Sequence, residues 1–317
     1  MFMVIMAKVA RVNSRLIAAA VIPHGDFAYD PTLLDQGTPA RGAAEQVARA
    51  ARRAGTFISN ADPDIVFLST PHGIELTHDF GLYLGSHARG YATIGSDLAN
   101  STTYKVHLSQ INLAPSLSDG LMLKLSNESV SGILPFADSE DMPLRWGEVI
   151  PLLMIPNTNS MRQHIIWSHP LRRYTQASEM VPELVRLGGL LFEWAEATPL
   201  TIAIVISSDL SHTHQADGPY GYSNASELFD HAVGEWAANP CHCASSLLKL
   251  ARSLQEDAKS CGFTGLVLLH GALCRNESSH DFDTTLIANR NVTYYGMMAA
   301  TFKRRLGKKV PDISLTQ

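Results

Sequence analysis

Apolar residues fall along this chain in short runs, and the polar punctuation at their ends marks the predicted elements. Arg15 to Ile22 (RLIAAAVI) is mostly apolar and is stopped at once by Pro23-His24-Gly25, the pattern of a buried strand. Asp64 to Thr70 (DIVFLST) is rich in β-branched and aromatic residues and ends in the same tripeptide, Pro71-His72-Gly73. Between them, Ala40 to Ala54 is Ala-rich with Arg and Glu interspersed and reads as a helix, with Thr38 as N-cap, Pro39 at its first position and Gly55 as its stop. Residues 15 to 73 therefore have the outline of a βαβ unit with a histidine at each strand exit, where open α/β sheets place their ligands.

Farther along, Gly147 to Ile155 and His164 to Trp167 read as short strands, with Pro151 pointing to an edge or a bulge. Thr201 to Ser207 (TIAIVIS) is a strand that runs directly into Ser208-Asp209-Leu210-Ser211-His212-Thr213-His214, so polar chemistry again sits at a strand exit. Ser226 to Ala238 and Ala244 to Ala258 are predicted helices, broken by Asn239-Pro240. Cys261 to Leu273 is an apolar stretch that suits a buried helix or strand, and Asn291 to Phe302 a final strand before a polar tail, Lys303 to Gln317. Without a repeat or a linker, the expectation is one α/β domain over residues 1–317. Its core spans residues 16 to 302, with a mixed or mostly parallel central sheet flanked by helices.

Composition narrows the class. The 317 residues hold 25 Lys+Arg and 30 Asp+Glu, a net charge of −5 that argues against a basic nucleic-acid surface. Hydrophobic residues at 45% and charged residues at 17% supply ample material for a large core. Four cysteines, all in the last quarter, are too sparse for a disulfide framework and point to a reducing, cytoplasmic setting. The apolar run Met1 to Met6 precedes its basic residues, the reverse of a secretory signal, and no stretch reaches the ~18 apolar residues of a membrane span, so no membrane association is expected. There is no GxxxxGK[ST] loop and no GxGxxG after the first strand, and Cys241-His242-Cys243 lacks the second pair that a zinc site needs.

His24, His72 and His212 each follow a strand-like run, and in one sheet those exits converge on one cleft. Converging histidines are metal-ligand candidates, and an open site of two histidines and a carboxylate suits ferrous iron with both substrate and oxygen. The alternative for each is a hydrogen-bonded loop residue.

The set Ile22-Pro23-His24-Gly25, Leu68-Ser69-Thr70-Pro71-His72-Gly73, Ser207-Ser208-Asp209-Leu210-Ser211-His212 and Tyr295-Gly296-Met297 resembles the class III extradiol ring-cleavage dioxygenase (LigB-type) superfamily, which also contains the Memo-type proteins. The resemblance implies a non-haem iron(II) dioxygenase acting with O2 on a small catechol-like aromatic diol. His24 and His72 would be ligands and His212 the acid/base histidine. Asp209 would orient that imidazole or its loop.

Two departures stand out. The ring-cleaving relatives have a glutamate as third ligand, whereas Lys259 to Thr264 contains no carboxylate. Cys261-Gly262 resembles the Memo-type motif instead, which makes Cys261 the candidate third ligand and admits copper or zinc, with a metal-binding redox or peptide-interaction role as the alternative function. Many relatives also carry a histidine where this chain has Trp146, whose indole would contact substrate by stacking; Glu148 beside it reads as a surface residue. Family members often associate, and an apolar edge at Pro151 would permit a homo-oligomer.

Overall fold

The computed structural model describes residues 15–96, 102–137, 140–158, 162–275 and 281–305. The Met1 to Met6 run and the tail beyond residue 305 lie outside them. The strands are β1 (Leu16–Ile22), β2 (Ile65–Thr70), β3 (Phe80–Tyr83), β4 (His87–Ile94), β5 (Tyr104–Leu113), β6 (Val130–Ile133), β7 (Met142–Leu144), β8 (Gln163–Ser168), β9 (Ile202–Ser207), β10 (Phe282–Asn291) and β11 (Gly296–Arg304). They form one sheet in the order β10-β11-β1-β9-β2-β8-β5-β4-β7, with β3 joined to β6 and β8. Its centre, β1-β9-β2-β8, is parallel; β11 runs antiparallel to β1 and β10, and β4 antiparallel to β5 but parallel to β7. The expected mixed α/β architecture is thus the one observed.

The parallel centre is buried on both faces, which is why its strands read as continuous apolar runs. Ile202, Ile204 and Ile206 of β9 enter one core layer while Ala203 and Val205 enter the other. The helices are α1 (Asp26–Tyr29), α2 (Pro39–Ala61), α3 (Pro115–Lys124), α4 (Trp146–Met154), α5 (Arg173–Gln176), α6 (Val181–Ala197), α7 (Ala225–Ala238), α8 (Arg252–Ala258) and α9 (Phe263–Leu273). Helices α2 and α4 cover one face, and α6, α7 and α9 the other.

Several expectations are corrected. Gly147 to Ile155 is helix α4, not a strand: its residues are buried on nearly every side, so the run carries no helical period. Pro151 lies buried inside that helix and makes no apolar edge. Gly55 does not stop α2, which continues to Ala61 and ends on Asp62 at φ 50°. A Cβ at Gly55 would fall 1.9 Å from the Met154 carbonyl oxygen, so this glycine serves the close approach of α2 to α4. Asn291 to Phe302 is not one strand, because the chain turns between β10 and β11 and pairs with itself. β1 and β2 flank β9 rather than each other. Cysteine usage pointed away from a disulfide framework, yet Cys241, past α7, is bonded to Cys274 at the end of α9, leaving Cys243 and Cys261 free. Among the described residues no helix is long and apolar enough to cross a membrane.

Candidate metal centre

Three neighbouring parallel strands end together. Register sets Ile22 of β1 opposite Ser207 of β9, and Ile206 opposite Ser69 of β2, so His24, Asp209 and His72 meet above one edge of the sheet. Cys261 comes to the same place from the segment ahead of α9. Gly262 makes that possible: a Cβ there would lie 1.9 Å from Ser208 Oγ and 2.6 Å from the Asp209 carbonyl oxygen. One donor atom each from His24, His72 and Cys261 lies within 4.8 Å of the other two.

His24 is fixed by a relay that begins in α4. A proline has no N–H, so Pro151 donates nothing to the carbonyl four residues back, that of Gly147. That carbonyl instead accepts the Ser207 hydroxyl at 2.5 Å. With its only proton spent, Ser207 Oγ accepts from His24 Nδ1 at 2.8 Å, which leaves the lone pair on Nε2. Burial, then the neighbouring His212 and Arg173, lowers the His24 pKa to about 3, so the ring is neutral at physiological pH.

Around that lone pair stand Cys261 Sγ and Asp209 Oδ2, each 3.4 Å from His24 Nε2. A neutral nitrogen facing a carboxylate oxygen brings two acceptors together with no proton between them, an arrangement that a cation would relieve. Burial pushes the Cys261 thiol up, so in the absence of a metal it is protonated and its S–H satisfies Nε2. Two neutral imidazoles and a sulfur, with a carboxylate adjacent, suit a transition metal and not a hard cation such as Mg²⁺.

His72 is held differently. Its ring makes no hydrogen bond among the described residues; it meets His24 edge-on at 4.9 Å and stacks on Trp146 at 4.9 Å and 29°. Burial and the charges of His24, Arg173, His212 and Arg145 hold its pKa well below the usual histidine range. The Trp146 indole therefore has its stacking partner within the protein. Asp209 reaches His24 as well: its Oδ1 accepts the His24 N–H at 3.1 Å. Glu148 is no surface residue. It is fully buried, accepts Tyr83 Oη and the Arg145 N–H, and is raised to about 8 by burial.

His212 stands beside the cluster, outside the set of three. Its Nδ1 donates to the Leu210 carbonyl at 2.9 Å and its ring lies on Tyr295 at 5.5 Å and 13°. Its pKa is lowered to about 4, with burial outweighing the backbone of Leu210 and Lys259, so it is unprotonated near neutral pH. The loop carrying it is clamped by Asp230, which accepts Ser211 N–H and meets His214 Nε2 at 2.8 Å.

His24, His72, Asp209 and His212 line a cleft of about 570 Å³ together with Trp146, Tyr91, Tyr220, Tyr294, Tyr295 and Arg145 among others. A second cavity, of about 290 Å³, reaches His72, His212 and Cys261 from the α5 and α9 side. Sequence reading missed Ser207 as a partner of His24, Tyr295 as the rest for His212, and buried Arg173, which pairs with Glu75 at 2.6 Å. Ser207 and Tyr295 stood inside recognised motifs; Arg173 gave no signal.

A family model described as the catalytic LigB subunit of aromatic ring-opening dioxygenase matches residues 18–301. The chain belongs to the LigB family. No curated protein matches it. Among solved structures, an uncharacterized protein, JW3007 from Escherichia coli K12, is similar at TM-score 0.52 and 14% identity, covering 90% of this chain and 99% of that one. At that identity the likeness bears on fold alone. For the LigB family a small aromatic substrate and O2 are the general chemistry. The match spans Cys261-Gly262 but does not identify that pair as a Memo-type motif.

Proposed function

We propose that this LigB-family chain is a non-haem iron-dependent dioxygenase that opens the ring of a catechol-like diol, with His24, His72 and Cys261 as the metal ligands. The observation that carries the reading is the convergence of those three donors within 4.8 Å, with His24 and His72 lining an aromatic-walled cleft. Bound iron(II) would supply adjacent coordination positions and one-electron chemistry for the diol and oxygen. The chain's own residues would do the rest. His212, neutral near physiological pH, takes a phenolic proton as the diol binds and returns it later. Tyr295 holds that imidazole in plane, and the Ser207 relay keeps the His24 lone pair directed at the cluster.

Cys261 favours a second reading, a Memo-type metal-binding redox protein without ring cleavage, because thiolate suits copper or zinc as well as iron. Elemental analysis of anaerobically purified protein, followed by oxygen uptake with catechols, separates the two. Iron near one per chain with catechol-dependent uptake is the expected result. Bound metal without uptake turns the reading to the second, and no metal at all removes both.

A further inference from the structure

The loop that carries His212 is tied on both sides of that residue by one side chain from another element. Asp230, in the middle of α7, is buried; its Oδ1 accepts the Ser211 N–H at 3.0 Å and its Oδ2 stands 2.8 Å from His214 Nε2. A carboxylate only accepts, so that nitrogen carries its proton, and Ser211 Oγ lies 2.8 Å from the same nitrogen. Asp230 also reaches the strand that follows Tyr295. A Cβ at Gly296 would fall 1.9 Å from Asp230 Oδ2, so the carboxylate occupies the space that this glycine leaves. Loop and strand are joined at the same point. The Leu210 N–H donates to the Gly296 carbonyl and the Gly296 N–H to the Ser211 carbonyl, each at 2.8 Å, and the His214 N–H to the Tyr294 carbonyl at 2.9 Å. Helix α7 is itself pinned to β10, whose Asn289 side-chain amide donates to the Asp230 carbonyl at 2.6 Å.

We infer that Asp230 is the positioning residue of His212, setting the imidazole against Tyr295 by holding the loop of the one to the strand of the other. Two rests of the imidazole, the Leu210 carbonyl and the Tyr295 ring, belong to these two segments, so a shift of one segment against the other tilts the ring. Asp230 lines neither cavity that reaches the cluster, so it acts through the loop and not on a bound molecule. The expected cost of losing it is kinetic, because a misplacement of about 1 Å at a reacting group is worth up to about 10²-fold in rate.

The inference rests on the ring-opening reading only for the proton that His212 transfers, and the position of its ring is read without turnover. Nuclear magnetic resonance of metal-free protein carrying isotope-labelled histidine gives the His212 ring signals, assigned by their loss in His212→Gln. Their ring-current shift from Tyr295 is defined by Tyr295→Leu. Asp230→Asn keeps the size of the side chain and one acceptor, whereas Asp230→Ala removes both acceptors. Both are expected to move the His212 signals toward their place in Tyr295→Leu, alanine farther, with the His24 and His72 signals unmoved. Loaded with iron(II), both variants are expected to bind one equivalent and to lose about 10–100-fold in kcat with 4-methylcatechol, while KM changes less than about threefold. His212 signals that stay in place overturn the assignment, and so does loss of bound iron in Asp230→Asn. If Asp230→Ala does not fold, Asp230→Asn decides by the same signals. If wild type shows no turnover while the His212 signals move in the variants, the positioning role stands and the ring-opening reading falls.

Discussion

His24 and His72 leave parallel strands in the same Pro-His-Gly tripeptide, yet the fold secures them by different means. His24 is held by directed hydrogen bonds: Gly147 carbonyl, Ser207 hydroxyl and imidazole form a chain that assigns its tautomer before any ligand arrives. His72 is held by packing, edge-on to His24 and stacked on Trp146, and no hydrogen bond among the described residues assigns its tautomer. A hydrogen-bonded ligand is set in direction and basicity, whereas a stacked one is set in position only. The same motif thus gives one pre-directed donor and one that settles when a metal binds.

The largest expected effect tests whether both donors matter. His24→Ala and His72→Ala should each bring metal content close to zero by elemental analysis, since two remaining ligands cannot hold a transition metal against water. Next comes His212→Gln, which should keep its metal and lose turnover by about 10²–10⁴-fold, the usual worth of a positioned base. Metal loss in that variant would move His212 into the ligand set.

The asymmetry itself is read by Ser207→Ala against Trp146→Leu. Removing the hydrogen-bond partner should weaken metal affinity by about 10–100-fold, while removing the stacking partner should change it less than about threefold. Equal losses would erase the distinction. Pro151→Ala should fall below Ser207→Ala in effect, because it restores an N–H that competes with Ser207 for the Gly147 carbonyl.

A further effect is in stability. His24 and His169 are lowered to about 3 and His164, His212 and His270 to about 4, all chiefly by burial. The unfolded chain takes up these protons near pH 6.5 and the folded chain does not, so their contribution is complete above that pH and is lost as pH falls toward 4. Glu148, raised to about 8, works in the opposite sense: its contribution is complete below about pH 4.5 and is lost as pH rises through 8. Urea midpoints of the metal-free protein should therefore fall between pH 6.5 and 4.5, and a midpoint that rises over that range would contradict the burial of these rings.

The elements best legible in the sequence were those whose patterns are local. β1, β2 and β9 could be read because strands covered on both faces are unbroken apolar runs, and their exits carry the histidines. The approach of Cys261 was legible only through family resemblance, since no spacing rule links it to His24, 237 positions away. Helix α4 was misread because a helix buried all round loses its period and because Pro151 suggested a break. That proline is tolerated because the carbonyl it leaves unbonded finds Ser207, a tertiary contact that no local rule contains. Glu148 was misplaced for the same reason: its burial depends on Tyr83, 65 positions away.

The central claim is that one metal sits between His24, His72 and Cys261, and anaerobic iron(II) titration of wild type beside the His24→Ala/His72→Ala double variant tests it most directly. The account predicts one equivalent bound by wild type and none by the double variant. Stoichiometric iron retained in the double variant would contradict it.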